Sequence, residues 1–378
     1  AYASGFQSLR RFNSVFRERY RLSPSALRRS PRANGVPRDA ATRCPAPGAM
    51  ATDLVRLTLA YRPPLAWDVL VRLLRREAMP GVAVVHGARY GRTVRLDGRS
   101  GVVFAEDAAS GHATRATRAG STHLDVHVSA SLLPALMLLL ARLRQLFDLD
   151  AEPTLVDACL EQGGLGAFVG RRPGVRIPGA IDGFEVALRA LLCGRARAGA
   201  ACSELSRRVV WDIGEAIDTG FPALTRLAPS AARVADAGAS RLTALGVPRR
   251  RADAIASVAR AVAEGALRLE PGSDVTATRR ALMEIDGVGD RFATTIVMRA
   301  LHWPDAFPAS DGALQRAAAA RGQRALRAQA EQWRPWRAYA ALHLWLCDDE
   351  RAYRRDRPAN RRPDEAGRGR RAAMTERG

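Results

Sequence analysis

Residues 282–314 read LMEIDGVGDRFATTIVMRALHWPDAFPASDGAL, and this stretch decides the fold. Its order predicts a helix, a tight glycine turn, a second helix and a short loop that ends in a carboxylate. The turn is Gly287-Val288-Gly289. Two glycines one residue apart permit positive φ and leave no Cβ in the path of a bound group. Such a turn can direct backbone N–H groups at an anion, and the N-terminus of the next helix adds a favourable field.

The loop over residues 304–310 contains two prolines, so it cannot continue the helix, and it leads to Asp311. An aspartate here is commonly a helix N-cap, and a cap is compatible with a chemical role for the same carboxylate. The whole order resembles the helix-hairpin-helix-plus-aspartate motif of the DNA base-excision glycosylase superfamily. The resemblance implies that Gly287, Val288 and Gly289 bind a DNA phosphate through backbone N–H groups. It also implies that Asp311 is the catalytic residue for cleavage of the glycosidic bond.

The composition indicates a polyanionic partner. The 378 residues carry a formal charge of +21 and a pI of about 11.3, which favours nucleic acid, although part of the charge lies near the two ends of the chain. All of the Lys and Arg residues are arginine, so no lysine amine is present to form a Schiff base. The length predicts two or three domains.

The cysteines and the apolar runs indicate the cellular compartment in which the protein works. None of the five cysteines forms a CxxC pair or has a histidine at metal-ligand spacing, so neither a zinc site nor a disulfide framework is indicated. We expect no metal site and no cofactor. The longest apolar run, over residues 132–140, is too short to span a bilayer, and no signal peptide is visible. We therefore expect a protein of the reducing cytosol that is not associated with a membrane. We also expect it to be monomeric and associated with the nucleoid.

The first 52 residues differ in sequence pattern from the remainder of the chain and are expected to lie outside the two main domains. Leu9 and Phe12 lie on an apolar face at helical spacing within residues 1–32, with arginines on the other faces. This stretch resembles the end of the helix-turn-helix of AraC-type transcription regulators, and the alternative is an isolated amphipathic basic helix. Residues 33–52, rich in Pro, Gly and Ala, predict a linker. The chain begins at Ala1 and not at Met, so we expect a fragment of a longer protein.

Hydrophobic patterning divides the remainder into an α+β domain at 53–150, a mainly helical domain at 151–347 and a disordered basic tail at 348–378. The first domain is expected to be an antiparallel sheet with two helices. Two stretches of the sequence, LTLAYRPPLAW and RRPGVRIPGAIDGFEVALRALL, resemble the bacterial AlkA-type 3-methyladenine DNA glycosylases. The likeness runs over about residues 54–347. It implies excision of alkylated purines from duplex DNA by base flipping, without a cofactor. Such glycosylases occur fused to adaptive-response regulators, which agrees with the resemblance of residues 1–32.

The same resemblance places four residues in a substrate pocket. Trp345 matches a tryptophan that stacks on the flipped base, although plain core packing is the alternative. Leu73, Arg291 and Thr295 occupy pocket positions where the family usually has aromatic rings. Arg291 also stands where the lyase branch of the superfamily carries its Schiff-base lysine. An arginine stays protonated and cannot form that adduct, so we expect a monofunctional enzyme.

One segment departs from the family. By position Arg195 falls on the DNA-inserting wedge, in a run of Arg, Ala and Gly over residues 193–200, and an inserted arginine is chemically feasible. In the wider superfamily the hairpin carbonyls can hold a monovalent cation that bridges to phosphate, which we carry as a further expectation. Two alternatives stay open: a damage-binding module without turnover, or a fragment of an adaptive-response regulator fused to a glycosylase.

Overall fold

The computed structural model describes residues 53–109, 121–194 and 199–356, with side chains up to residue 351. The predicted helix-turn-helix at 1–32, the linker at 33–52 and Arg195 lie outside the described residues. Among the described residues, no helix is long and apolar enough to cross a membrane.

The first domain is a five-stranded antiparallel sheet with two helices, as the sequence predicts. The strand order is β1-β5-β4-β3-β2. Residues at alternate positions of β1, such as Leu57 and Leu59, are buried against helices that present apolar residues at helical spacing, such as Leu70 and Leu74 of α1. The elements are β1 (Leu54–Ala60), α1 (Trp67–Glu77), β2 (Ala83–His86), β3 (Arg89–Leu96), β4 (Arg99–Asp107), β5 (His123–Ser129) and α2 (Leu136–Leu146), which follows a 3₁₀ turn at Ala130–Ala135.

The second domain is helical from residue 153 onward. Its helices begin at side-chain caps in several places: Asp182 accepts from the Phe184 N–H at 2.8 Å, and Asp274 accepts from the Ala277 N–H at 2.9 Å. The helices are α3 (Pro153–Leu160), α4 (Gly166–Val169), α5 (Gly183–Cys193), α6 (Ala200–Ile213), α7 (Ala231–Ala244), α8 (Arg249–Ala263), α9 (Val275–Glu284), α10 (Asp290–Ala300), α11 (Gly312–Ala317), α12 (Gln323–Ala330) and α13 (Arg337–Asp356). A π-helical turn at Glu161–Leu165 joins α3 to α4.

Two large apolar cores correspond to the two domains. One lies between the sheet, α1 and α2, and it includes Leu59, Leu139 and Phe147. The other is built from the helices of the second domain, and Val69 of α1 also belongs to it. The helix α1 therefore packs on both sides, and its C-terminal end lies at the boundary between the domains.

The structure corrects the predicted start of the tail. The helix α13 continues to Asp356, whereas the sequence predicts disorder from residue 348. The continuation is stabilised by long-range ion pairs, because Asp348 accepts from Arg316, Asp349 from Arg76 and Glu350 pairs with Arg172. Partners so distant in sequence leave no local signal. The remaining tail residues, 357–378, lie outside the described residues.

A further expectation is wrong. The sequence indicates no disulfide framework, whereas Cys193 at the end of α5 is bonded to Cys202 in α6, with 5.0 Å between their Cα atoms. The two helices place these cysteines side by side, which no spacing motif reveals.

Candidate active site

The glycine turn is closely packed against the protein at Gly287 and is open at Gly289. Gly287 has φ of 86°, and a Cβ there would lie 3.1 Å from the Ala254 Cβ. Gly289 caps α10 with φ of −83°, and a Cβ there would meet nothing within 4 Å. The Val288 side chain is buried, and its N–H donates to the Ile285 carbonyl at 3.0 Å. The approach to the first N–H groups of α10 is therefore open beside Gly289, and those groups have no partner within the helix.

Asp311 is a buried helix cap, as its position in the sequence predicts. Its Oδ1 accepts from the Ala313 N–H at 2.9 Å and from the Leu314 N–H at 3.4 Å. The side chain is 5% exposed, so its carboxylate lies in the wall of the cleft and not on the open surface. The N-terminus of α11 thus fixes one carboxylate oxygen by hydrogen bonds and leaves the other to face its neighbours.

Arg291 holds the second oxygen of that carboxylate. Its Nη1 donates to the Asp311 Oδ2 at 3.2 Å, and its Nη2 donates to the Gly194 carbonyl at 3.0 Å. The same guanidinium carbon lies 4.7 Å from the centroid of the Phe292 ring. Arg291 therefore links the first turn of α10, the end of α5 and the capping carboxylate of α11.

A second link runs parallel to the first. Asp290, the first residue of α10, accepts from the Ser310 hydroxyl at 3.2 Å and from Arg279 of α9. The adjacent pairs Asp290–Ser310 and Arg291–Asp311 therefore join the hairpin helix to the loop that carries the carboxylate. We call these two pairs the cross-ties. They give the hairpin and Asp311 one common frame.

A cleft with a cavity volume of about 100 Å³ lies beside Asp311 at the boundary between the domains. Every residue that the sequence places in the pocket lines this cleft: Leu73, Arg291, Thr295 and Trp345. Trp345 is 6% exposed, and the Thr295 hydroxyl donates to the Arg291 carbonyl at 2.8 Å. The hairpin residues Gly287, Val288 and Gly289 instead line a neighbouring groove, together with Arg250.

The sequence did not reveal three charged residues of the cleft, Glu77, Arg189 and Arg299. Glu77, at the C-terminal end of α1, forms an ion pair with Arg299, with 2.5 Å between the Glu77 Oε2 and the Arg299 Nη1. Arg299 also donates to the Pro178 carbonyl at 2.8 Å. Both residues line the cleft. They are 222 residues apart, so no local pattern could have paired them. This ion pair fixes the end of α1 against α10.

A third arginine, Arg189 of α5, lines the same cleft and donates to the Arg76 carbonyl. Burial lowers the pKa of the Arg189 guanidinium, the Glu77 carboxylate opposes that shift, and the neighbouring Arg299 adds to it. An arginine remains protonated at any physiological pH, so the wall carries a positive charge here. Among the described residues no group of three His, Cys, Asp or Glu side chains could hold a metal ion.

Three residues near the cleft are structural. The Trp333 indole donates to the Gly163 carbonyl at 2.8 Å, and its side chain is fully buried. Arg337 forms an ion pair with Asp305 at 2.6 Å. His343 is 1% exposed, and burial, with a smaller contribution from Arg172, lowers the pKa of its imidazole to about 4. His343 is therefore neutral at neutral pH and packs as part of the core.

A sheet domain followed by a helical domain with a glycine hairpin and a capping aspartate defines the chain as a protein of the helix-hairpin-helix class. A family model described as the AlkA N-terminal domain matches residues 56–182. DNA-3-methyladenine glycosylase 2 of Escherichia coli is 32% identical over 291 residues, which cover 77% of this chain and 97% of that protein. The chain belongs to the AlkA family of DNA-3-methyladenine glycosylases.

A further relative and one solved structure are also similar to this chain. A probable bifunctional transcriptional activator/DNA repair enzyme AlkA of Mycobacterium tuberculosis is 35% identical over 350 residues, or 91% of this chain. The match covers 65% of that relative, so the chain spans just under two thirds of its length. The solved structure of the 3-methyladenine DNA glycosylase of Archaeoglobus fulgidus has the same fold. Its TM-score is 0.65 at 18% identity, over 78% of this chain and 98% of the other.

Proposed function

We propose that this protein is a monofunctional DNA glycosylase that excises alkylated purines, such as 3-methyladenine, from duplex DNA. The observation that carries the proposal is the position of Asp311. Its carboxylate is 5% exposed, is fixed by helix N–H groups and lies in the wall of a cleft, and the glycine hairpin lines the neighbouring groove. The names of the Escherichia coli and Mycobacterium tuberculosis relatives support the substrate class.

In the proposed reaction the N-glycosidic bond breaks, and its electron pair leaves with the base. A ring-alkylated purine carries a positive charge in the nucleoside, so it departs as a neutral molecule. The sugar becomes oxocarbenium-like, and the Asp311 carboxylate stabilises that charge and orients a water molecule towards C1′. Water adds to C1′, its proton passes to the carboxylate or to solvent, and an abasic site remains. No step requires an amine, in agreement with a sequence that has no lysine.

The hairpin is proposed to hold the DNA backbone. The open space beside Gly289 gives a phosphate access to backbone N–H groups at the N-terminus of α10, and this contact would be independent of base sequence. The Val288 N–H already donates within the turn, so the two glycines and the first turn of α10 would supply the donors. A monovalent cation held by hairpin carbonyls would bridge to the same phosphate. The protein would act as a monomer.

The Asp311→Asn substitution tests the proposal, because an asparagine oxygen can still cap α11 while the charge is lost. We would measure single-turnover release of methylated bases from alkylated duplex DNA for wild type and variant, with DNA affinity measured alongside. We expect release by the wild type and a loss of at least about a hundredfold in the variant, at unchanged affinity.

The other outcomes are informative. Release at equal rates by both proteins would place the chemistry on another residue of the cleft. Release by neither, with DNA affinity intact, would favour a damage-binding module without turnover. The pairing of Asp311 with Arg291 is the feature that favours this second function, because it offsets the charge that the reaction would use.

We further propose that residues 1–32 are the end of a regulator's helix-turn-helix. Their sequence resembles the AraC-type motif, and the Mycobacterium tuberculosis relative is named as a transcriptional activator as well as a repair enzyme. Reading the gene upstream of Ala1 tests this directly. A preceding open frame that encodes the rest of a regulator is the expected result, and a stop codon immediately upstream would contradict it.

A further inference from the structure

The cleft above Asp311 has an excess of positive charge. Three guanidinium groups line it, from Arg189, Arg291 and Arg299, against the two carboxylates of Glu77 and Asp311. Each carboxylate is already engaged by an arginine: Glu77 by Arg299 at 2.5 Å and Asp311 by Arg291 at 3.2 Å. A base that enters the cleft therefore meets a wall whose net charge is positive.

The aromatic surface of the cleft is also limited by Arg291. Two aromatic residues line the cleft, Phe292 and Trp345. The guanidinium carbon of Arg291 lies 4.7 Å from the Phe292 ring centroid, so this ring already has a cation over its face. A ring face binds one cation at a time, and a second cation would be repelled by the first.

We propose that Arg291 is a specificity-determining residue that reduces the preference of this site for cationic bases relative to neutral bases. The proposal rests on the glycosylase function proposed above. Arg291 is 20% exposed and its guanidinium lies at the carboxylate that faces the substrate sugar, so its charge is screened little by water. Two unit charges roughly 10 Å apart in such a wall change a binding equilibrium by about tenfold. A neutral base with a carbonyl oxygen has no such penalty, and a guanidinium can donate to that oxygen.

The test compares two bases in otherwise identical duplexes: 7-methylguanine, which is cationic in the nucleoside, and hypoxanthine, which is neutral and carries a carbonyl. The readout is the ratio of their single-turnover release rates. A ratio removes any effect of Arg291 on the general reactivity of Asp311, because both substrates use the same carboxylate. Wild type is compared with Arg291→Gln and with the control Arg249→Gln, whose side chain is 71% exposed on α8.

We expect Arg291→Gln to raise the ratio of cationic to neutral release by about tenfold. The control Arg249→Gln should stay within about twofold of wild type. If Arg291→Gln does not fold, Arg291→Met keeps the apolar stem beside Phe292 and replaces it as the neutral variant.

An unchanged ratio in the neutral variants would overturn the proposal, as would an equal change in the control Arg249→Gln. Release of neither base by the wild type is a different result. It would remove the proposed function itself, and the inference with it.

Discussion

Trp345 belongs to the helix α13 but faces the cleft, and its ring is 6% exposed. If it stacks on a flipped base, Trp345→Leu should slow base release by about tenfold, because base–aromatic stacking contributes about 1–3 kcal/mol. Trp345→Phe keeps an aromatic ring and should slow base release much less. Single-turnover release, corrected for the folded fraction from circular dichroism, separates the two variants. Equal rates for Leu and Phe would mean that the residue only packs.

His343 makes stability depend on pH. Burial lowers the pKa of its imidazole to about 4, whereas an unfolded chain has a histidine pKa of about 6.5. Between these values the unfolded state binds the proton more readily, so protonation favours unfolding. The stability that His343 contributes is therefore complete above about pH 6.5 and is lost as the pH falls towards 4. The loss amounts to about 3 kcal/mol.

The measurement is urea unfolding of wild type and His343→Gln at several pH values. The difference between the two proteins should shrink as the pH falls from about 7 to 4, since the variant has no proton to gain. Burial raises the pKa of Asp148, which gives a contribution of the opposite sign, but it is common to both proteins and cancels. A difference that is constant over this range would contradict the assignment of His343 as a buried neutral side chain.

At the residue scale, the sequence predicted what is local. Asp311 could be recognised as a cap because the loop before it and the helix after it are contiguous in the chain. Its partner Arg291 was placed in the pocket by resemblance, but the ion pair between them was not foreseen. The two residues are 20 positions apart in the chain, and the geometry of their ion pair depends on how α10 and α11 pack.

The hairpin offers a test at the scale of one element. Gly289→Ala adds a methyl group where nothing lies within 4 Å and where φ is −83°, so the folded protein should tolerate it with little change in stability. If a phosphate approaches this residue, the methyl group obstructs it, and DNA affinity should fall by about tenfold or more. Melting temperature and DNA binding at fixed salt are the two measurements.

Gly287→Ala is the comparison for that variant. Its φ of 86° strains any residue with a Cβ, and the Cβ would lie 3.2 Å from the Arg250 carbonyl oxygen. The Gly287→Ala substitution should lower the free energy of unfolding by about 1–2 kcal/mol and should also lower the affinity for DNA. Full DNA affinity in Gly289→Ala would contradict a phosphate contact at the hairpin.

Element boundaries show where sequence reasoning succeeds and fails. The glycine turn and the helix that begins after it were predicted from residues 282–314, because the signals that mark them lie next to one another in the chain. The extension of α13 to Asp356 was missed, since its acidic residues are paired with arginines from distant elements. The same holds for the disulfide between Cys193 and Cys202, which depends on the packing of α5 against α6.

A buried ion pair connects the two domains. Arg92 of β3 donates to Glu185 of α5 at 2.6 Å, and the two side chains are 6% and 16% exposed. Arg92→Met leaves the carboxylate buried without its partner and should cost about 3–5 kcal/mol. The double variant Arg92→Met, Glu185→Leu removes both charges and should be clearly more stable than the single one. Chemical unfolding of the three proteins gives the comparison. Additive losses would mean that the pair does not act as a unit.

At the scale of the whole molecule, hydrophobic patterning predicted both domain classes, because burial leaves a period of two in strands and of 3.6 in helices. It did not predict how the domains meet. The contacts at their boundary, such as Glu77 with Arg299 and Arg92 with Glu185, join residues far apart in the chain. Since the cleft lies at that boundary, its charge could not be derived from the sequence.

The cross-ties have a consequence for how DNA would be read. They attach the loop of Asp311 to the first turn of α10 through Asp290–Ser310 and Arg291–Asp311, each with a contact of 3.2 Å. Under the proposed function, the carboxylate then stands at a set distance from the phosphate that the hairpin holds. The distance between the hairpin and Asp311 would then determine which nucleotide, relative to the bound phosphate, is presented for cleavage. The cleft would only accept or reject the base of that nucleotide.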